Sequence, residues 1–281
     1  MKTPYRIKTF LFTAISLVII SCQNGIKQSD GISTDLSENS SATIQSVEYV
    51  NERGVFTPVE MLLPVQYRKE STGYPQNIKN KDWYEFYKDE KTGDWKIGKA
   101  ELLITYGRDE CVGEDVMVIK AIHENTIMFF TPFEGMMEKP ITTIEDKALF
   151  PERNLTFNFS GKEYSLSPMG NCKNNEGQII PSVTIKEMSE DDLGDIQIDD
   201  YVLTISAPEN VTYTIATIPQ MISVKPKVIW AGDMNGDGLL DLVLNLSDFY
   251  ESMHIFLFLS DKNDLQKPLK KAADLKVVND C

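Results

Sequence analysis

Residues 227–246 read KVIWAGDMNGDGLLDLVLNL, and this stretch decides how the chain is expected to fold. A β-branched and aromatic run at 228–231 opens it, and a mostly apolar run at 242–246 closes it. Both compositions are typical of strands. The loop between them is rich in glycine, aspartate and asparagine, which favour turns. The sequence therefore predicts a strand, a tight acidic loop and a second strand.

The acidic loop carries oxygen-bearing side chains at alternate positions. Its expected ligands are the side chains of Asp233, Asn235, Asp237 and Asp241 and the backbone carbonyl of Leu239. A hard cation such as Ca²⁺ takes about six to eight oxygen ligands, and a loop with this spacing can wrap around it. Gly238 permits the sharp turn that such a loop needs. We expect one structural calcium ion here; the alternative is a metal-free acidic turn held by Asx-type hydrogen bonds.

The family to which this loop is most similar is not the EF-hand. An EF-hand needs a bidentate Glu at its twelfth position, where this chain has Leu244. Residues 227–261 instead resemble a single FG-GAP or VCBS-type repeat, in which such a loop lies between two strands. That family uses several copies to build a propeller or to decorate large adhesins and lyases, whereas one copy is visible here. The resemblance implies an ion that rigidifies a turn, and it does not predict a full propeller.

Short β-rich runs separated by turn signals recur along the rest of the body. They lie at 43–50, 83–87, 96–106, 116–122, 126–133, 155–159, 163–166, 182–185, 201–205, 211–218 and 254–259. Strands at this spacing predict a mainly β fold, an antiparallel sandwich or partly closed barrel with little helix. Helical signal is limited to 58–63, 187–195 and 265–275, and Pro268 interrupts the last of these.

One hairpin is explicit in the local sequence. Residues 155–159 and 163–166 flank the turn 160–162, where Gly161 can adopt positive φ. A polar loop at 171–177 follows and marks a weak boundary that could subdivide the body.

A second hairpin is aromatic. Runs at 83–87 and 95–97 flank a turn at 90–93, and they carry Trp83, Tyr84, Phe86, Tyr87 and Trp95. We expect these rings to pack in the core. Exposed, they would instead form a platform suited to sugar rings.

The N-terminus predicts export. Basic residues within the first eight positions precede an apolar run at 9–20 that is too short to span a bilayer. Residues 19–22 resemble the lipobox of bacterial lipoproteins, in which the cysteine is acylated; an ordinary secretory signal would have to be cut at 14–16, inside the apolar run. The expected organisation is a signal peptide at 1–21, lipidated Cys22 and a flexible tether at 22–45, and a β-rich body at 46–281.

The net charge and the predicted lipidation limit the kinds of partner that the sequence predicts. The formal net charge is -14, which repels phosphate backbones, so nucleic acid is not expected to bind. Acylated Cys22 would anchor the protein in a lipid bilayer. Gln23 resembles the residue after the cysteine in lipoproteins that are not retained at the inner membrane, which favours the outer membrane, facing the periplasm or the surface. The further partner is an unidentified envelope protein or a glycan.

Three cysteines remain once Cys22 carries lipid. In an oxidising compartment we expect one disulfide and one free thiol among Cys111, Cys172 and Cys281. The sequence does not choose among the pairings, and all three thiols could also stay reduced. We name Cys172 with Cys281 as the candidate pair, because a bond at the last residue would fasten the chain end.

No catalytic residue is predicted. His123 and His254 lack the spacing of a zinc helix, and the sequence has no nucleophile elbow, Walker loop or dinucleotide fingerprint. The acidic run at 187–200 could supply paired carboxylates for glycoside hydrolysis but is more typical of a solvated loop. The sequence favours a non-catalytic, membrane-anchored, calcium-stabilised binding or structural module. The alternative is a glycan-binding or glycan-active surface protein.

Overall fold

The computed structural model describes residues 59–71, 73–208, 211–264 and 268–278. All of them fall within the unit Ala42–Cys281. The predicted signal peptide, Cys22, the tether, the predicted strand at 43–50 and Cys281 lie outside the described residues.

Strands make up most of the described chain. They are β1 (Met61–Leu62), β2 (Gln66–Arg68), β3 (Tyr84–Lys88), β4 (Trp95–Lys99), β5 (Leu103–Arg108), β6 (Asp115–Lys120), β7 (Thr126–Phe130), β8 (Ile141–Ala148), β9 (Leu155–Phe159), β10 (Lys162–Lys173), β11 (Gln197–Ala207), β12 (Val211–Ile222), β13 (Lys227–Asp233), β14 (Asp241–Asn245), β15 (Ser252–Ser260) and β16 (Leu269–Val278). Helical elements in these ranges are α1 (Ser182–Glu187) and 3-10 turns at Ile78–Asn80 and Asp192–Asp195. The predicted mainly β fold with little helix is confirmed.

The strands form four antiparallel sheets. Their strand orders are β1-β7-β3-β4, β2-β6-β5, β12-β11-β10-β9 and β16-β15-β14-β13-β8. The predicted strand–loop–strand at 227–246 is β13 and β14, which are hydrogen-bonded neighbours in the five-stranded sheet.

The three inner strands of the five-stranded sheet, β13, β14 and β15, are buried on both of their faces. Successive side chains of a strand point to opposite faces. On β14, Leu242 and Leu244 join the hydrophobic core formed with β9–β12. Val243 joins the other core, which is formed with the sheets β1-β7-β3-β4 and β2-β6-β5. This double burial explains the nearly continuous apolar runs within these three strands, and it makes the sheet the shared middle layer of two sandwich-like cores.

Both predicted hairpins are confirmed. β9 and β10 pair with Lys162 opposite Phe159, and the connecting Ser160 and Gly161 have φ of 50° and 73°. Two positive φ values in a two-residue loop match the twist of the flanking strands. β3 and β4 pair with Lys88 opposite Trp95, across a turn that contains Gly93 at φ 74°.

Some local predictions were wrong because tertiary context overrides weak local propensity. Residues 182–185, predicted as a strand, belong to helix α1. Within the predicted helix at 58–63, Met61 and Leu62 form a strand paired with β7. The predicted helix at 265–275 is largely strand β16, which pairs with β15 along its length and begins directly after Pro268, a place where proline is tolerated.

Gly232, on β13, is predicted to be intolerant of a side chain. A Cβ at this position would overlap the carbonyl oxygen of Ile141 on the neighbouring strand β8 and crowd the Trp230 ring. We expect Gly232→Ala to lower the free energy of unfolding by about 1–3 kcal/mol or more, as overpacking does. Urea unfolding measures this, with Gly107→Ala as control, since a Cβ there meets Val116 at an ordinary 3.9 Å. Equal stability of the two variants would contradict the described register.

Candidate ion-binding loop

The acidic loop connects the end of β13 to the start of β14. Gly232 on β13 lies opposite Asp241 on β14, so the loop closes where the two strands separate. Gly236 and Gly238 have φ of 74° and 80°, a region that glycine enters without steric cost. The turn role that the sequence assigns to Gly238 is confirmed.

The loop folds around its own side-chain oxygens. Asp233 accepts hydrogen bonds from the N–H groups of Gly236 at 2.6 Å and Gly238 at 2.9 Å. Asn235 Oδ1 accepts the N–H of Asp237 at 3.1 Å, and Asp237 Oδ1 accepts the N–H of Leu239 at 2.8 Å. These are the Asx-type bonds of a tight turn, and they fix the directions of three of the four predicted side-chain ligands.

Asp241 is held by Met234 within the loop and by Ser260 outside it. Its Oδ2 accepts the N–H of Met234 at 2.7 Å, and its Oδ1 accepts both the N–H and the hydroxyl of Ser260, each at 2.7 Å. The Ser260 hydroxyl also lies 3.0 Å from Asp237 Oδ1. Ser260 therefore links two predicted ligands to the end of β15. Sequence reasoning missed it, because nothing local marks a serine nineteen residues beyond Asp241.

Negative charge is buried in this loop without a basic side chain of the described residues beside it. Asp233 is 2% exposed and Asp241 is fully buried, and no ion pair joins either of them or Asp237 to a basic side chain of the described chain. Burial raises the pKa of Asp241 to about 7, the negative charge of Asp237 adds to the rise, and the hydrogen bonds from Ser260 and Met234 oppose it. A buried carboxylate without a counter-charge is costly, so the site favours a proton or a cation.

The oxygen atoms of this loop are of the kinds that a hard cation prefers. They are not already arranged around a cation position. Carboxylate, amide and carbonyl oxygens are the ligands that Ca²⁺ prefers, and an oxygen that accepts one N–H bond keeps a second lone-pair position. However, the described residues contain no group of three or more His, Cys, Asp or Glu side chains placed to hold a metal. An ion here would therefore have to draw the carboxylates of Asp233, Asp237 and Asp241 together.

The predicted pairing of Cys172 with Cys281 is wrong. Cys172 is a free thiol, 3% exposed, and burial raises its pKa to about 11. It faces the core because β10 pairs it with Ile198 of β11, which fixes the face on which it lies. Cys111, in an exposed turn between β5 and β6, is disulfide-bonded. The sequence predicts one disulfide and one free thiol, with Cys172 as the bonded cysteine. In the structure Cys111 is the bonded one and Cys172 is free.

The aromatic hairpin is part of the core. Trp83, Phe86, Tyr87 and Trp95 are each less than a tenth exposed, and the Phe86 and Trp95 rings stack with centroids 4.6 Å apart. The prediction of core packing is confirmed. The exposed platform that would suit sugar rings is therefore not formed by these residues.

The other charged candidates have structural partners. Asp199 of the acidic run pairs with Lys173 and accepts hydrogen bonds from two glutamine side chains, which lowers its pKa to about 2. His123 Nδ1 lies 2.7 Å from Oε1 of the buried Glu85, and its ring stacks on Tyr87. His254 Nε2 lies 3.0 Å from Asp274. These contacts account for both histidines as packed and hydrogen-bonded side chains.

Comparison with family models, curated proteins and solved structures returned no match. Within the described ranges, no helix has the length and apolar character required to cross a membrane.

Ser260 is predicted to support the loop. Ser260→Ala would remove a hydroxyl that contacts two carboxylates of the loop, so we expect a loss of about 1–3 kcal/mol in the free energy of unfolding. Thermal or urea unfolding in chelator measures it. Ser167→Ala is the control, because the Ser167 hydroxyl has no hydrogen-bond partner in the described chain. A Ser260 variant as stable as the control would show that the hydroxyl does not hold the loop.

Proposed function

We propose that this chain is a non-catalytic module of the bacterial cell envelope, anchored to a membrane through acylated Cys22 and stabilised by one calcium ion. The observation that carries the proposal is the loop at 233–241, where two buried carboxylates and a third beside them have hydrogen-bond donors but no basic side chain among the described residues as a partner. Bound calcium would supply the missing positive charge. The proposed ligands are Asp233, Asn235, Asp237, the carbonyl of Leu239 and Asp241.

The position of the loop supports a structural role for the ion. Asp233 ends β13, Asp241 begins β14, and Ser260 ends β15, so the loop connects three neighbouring strands of the middle sheet. An ion that holds the loop would fix the spacing of these strands at one edge of both cores. Stabilisation of a fold that presents a surface to a partner is the role that follows, with an envelope protein or a glycan as the partner.

The anchoring part of the proposal rests on the N-terminal sequence. Residues 19–22 resemble a lipobox, and acyl chains on Cys22 would hold the protein at a membrane, with the outer membrane favoured by Gln23. The disulfide at Cys111 supports an exported protein, because disulfides persist in oxidising compartments.

Calcium is predicted to raise the unfolding temperature. The full chain carrying Cys22→Ser would be unfolded thermally in excess calcium and in chelator. An ion that binds only the folded state stabilises it by about 2.7 kcal/mol at a hundredfold excess over Kd. The double variant Asp233→Asn/Asp237→Asn should lose the calcium shift, because it removes charge while keeping oxygen acceptors for the turn. The matched control Glu190→Gln/Asp195→Asn, which neutralises two exposed acids, should keep it.

An unchanged unfolding temperature of the parent chain in calcium and in chelator would overturn the ion part of the proposal. The loop would then be an acidic turn held by hydrogen bonds alone.

Acylation is predicted to depend on Cys22. In a bacterial host grown with labelled palmitate, the parent chain should carry label and sediment with membranes, and Cys22→Ser should do neither. Cys172→Ala is the control, since the thiol of Cys172 is buried in the body. Label retained in the Cys22→Ser protein would refute the lipobox assignment.

A further inference from the structure

A cavity of about 210 Å³ lies beside the ion-binding loop, where the ends of β10, β11 and β12 meet the start of β16. Its wall is largely apolar and includes Ile205, Ala207, Val211, Leu240 and Leu269. An apolar cavity of about 150 Å³ is enough to hold benzene. The space therefore accommodates a ring with a short side chain, or an alkyl chain of similar size.

Tyr164 presents an unsatisfied hydroxyl to this cavity. The residue is 6% exposed, and its hydroxyl makes no hydrogen bond to any described residue. Buried tyrosines normally find a partner, as Tyr67 and Tyr201 do by donating to backbone carbonyls at 3.0 Å. No fully enclosed polar side-chain atom of the described residues lacks a partner, so the Tyr164 hydroxyl must face open space. That space is the cavity that Tyr164 lines.

Lys162 adds a positive charge at the rim. It precedes Tyr164 by two positions on β10, and alternation along a strand places both side chains on the same face. The lysine is exposed, lines the cavity and makes no ion pair with a described residue, whereas Asp261, which also lines the cavity, is paired with Lys270. The negative charges of Asp237 and Asp241 act on Tyr164 from the loop and oppose an anion, so the unpaired Lys162 ammonium is the charge that would attract one.

We propose that the cavity binds a small apolar monocarboxylate, whose body fills the apolar space and whose carboxylate accepts hydrogen bonds from the Tyr164 hydroxyl and the Lys162 ammonium. Tyr164 is the deeper donor and Lys162 the rim charge. The size of the cavity limits the ligand to a medium-length alkyl acid or an aryl-alkanoic acid. Both kinds of acid have the same recognition chemistry, a single carboxylate on an apolar body.

The inference concerns a site other than the ion loop, although the two share a wall. Leu239 and Leu240 belong to the loop and also line the cavity. Binding is therefore measured both in calcium and in chelator. Ligand binding in either condition supports the cavity proposal, and the calcium shift in unfolding temperature tests the loop separately.

The test is calorimetric titration of the full chain carrying Cys22→Ser with octanoate, 3-phenylpropanoate and their neutral alcohols. At least one carboxylate should bind, at least tenfold more tightly than its alcohol. Tyr164→Phe and Lys162→Gln should each weaken carboxylate binding about tenfold, which corresponds to about 1.4 kcal/mol, without lowering the unfolding temperature. Lys91→Gln, in the exposed turn between β3 and β4, is the matched charge control and should bind as the parent does.

A cavity-filling variant tests whether the ligand occupies this cavity. Ala207→Phe should abolish binding by occupying the space, and Ala207→Leu is the milder version if the first variant unfolds. Binding of octanoate alone would identify an alkyl acid, and binding of 3-phenylpropanoate alone an aryl-alkanoic acid. Failure of both acids in both conditions would overturn the proposal. Equal affinity for acids and alcohols, or binding unchanged in a folded Ala207 variant, would overturn it as well.

Discussion

The burial of the inner strands β13, β14 and β15 on both faces is the constraint on which the rest of this structure depends. Val228, Leu242 and Leu244 contribute to one core, and Trp230 and Val243 contribute to the other. These three strands must therefore be apolar on both faces, and their register must be fixed, because a slip of one residue would exchange their side chains between the two cores. The sheet of β9–β12 covers one face of this layer, and the sheets β1-β7-β3-β4 and β2-β6-β5 cover the other.

This layered arrangement brings the acidic loop and the cavity to one edge. The ion loop joins β13 to β14, Ser260 ends β15, and β16 begins beside the cavity. Because neighbouring strands are antiparallel, chain segments far apart in sequence meet where the strands turn. The loop and the cavity are consequently neighbours, and Leu239 and Leu240 belong to both.

The acidic loop at 233–241 differs electrostatically from the buried pair of Asp109 and Arg68. Asp109 is paired with Arg68 at 2.9 Å, and both are buried. Such a pair offsets the cost of desolvation with an opposite charge. Asp233 and Asp241 are equally buried but have only N–H and hydroxyl donors. Their charge is left for a proton or a cation, which is the physical basis for regarding the loop as an ion site.

Local sequence determined the features that depend on backbone preference: the strand–loop–strand at 227–246, the turn at Gly161, the glycine at 238 and the mainly β class. These follow from steric limits on φ and from side-chain shape, which act within a few residues. Tertiary structure alone decided the partner of Asp241, the exposure of the Tyr164 hydroxyl, the burial of Cys172 and the strand character of residues 269–278. Each of these depends on which distant strand lies alongside, and strand pairing is set by burial over the whole sheet rather than by neighbours in sequence.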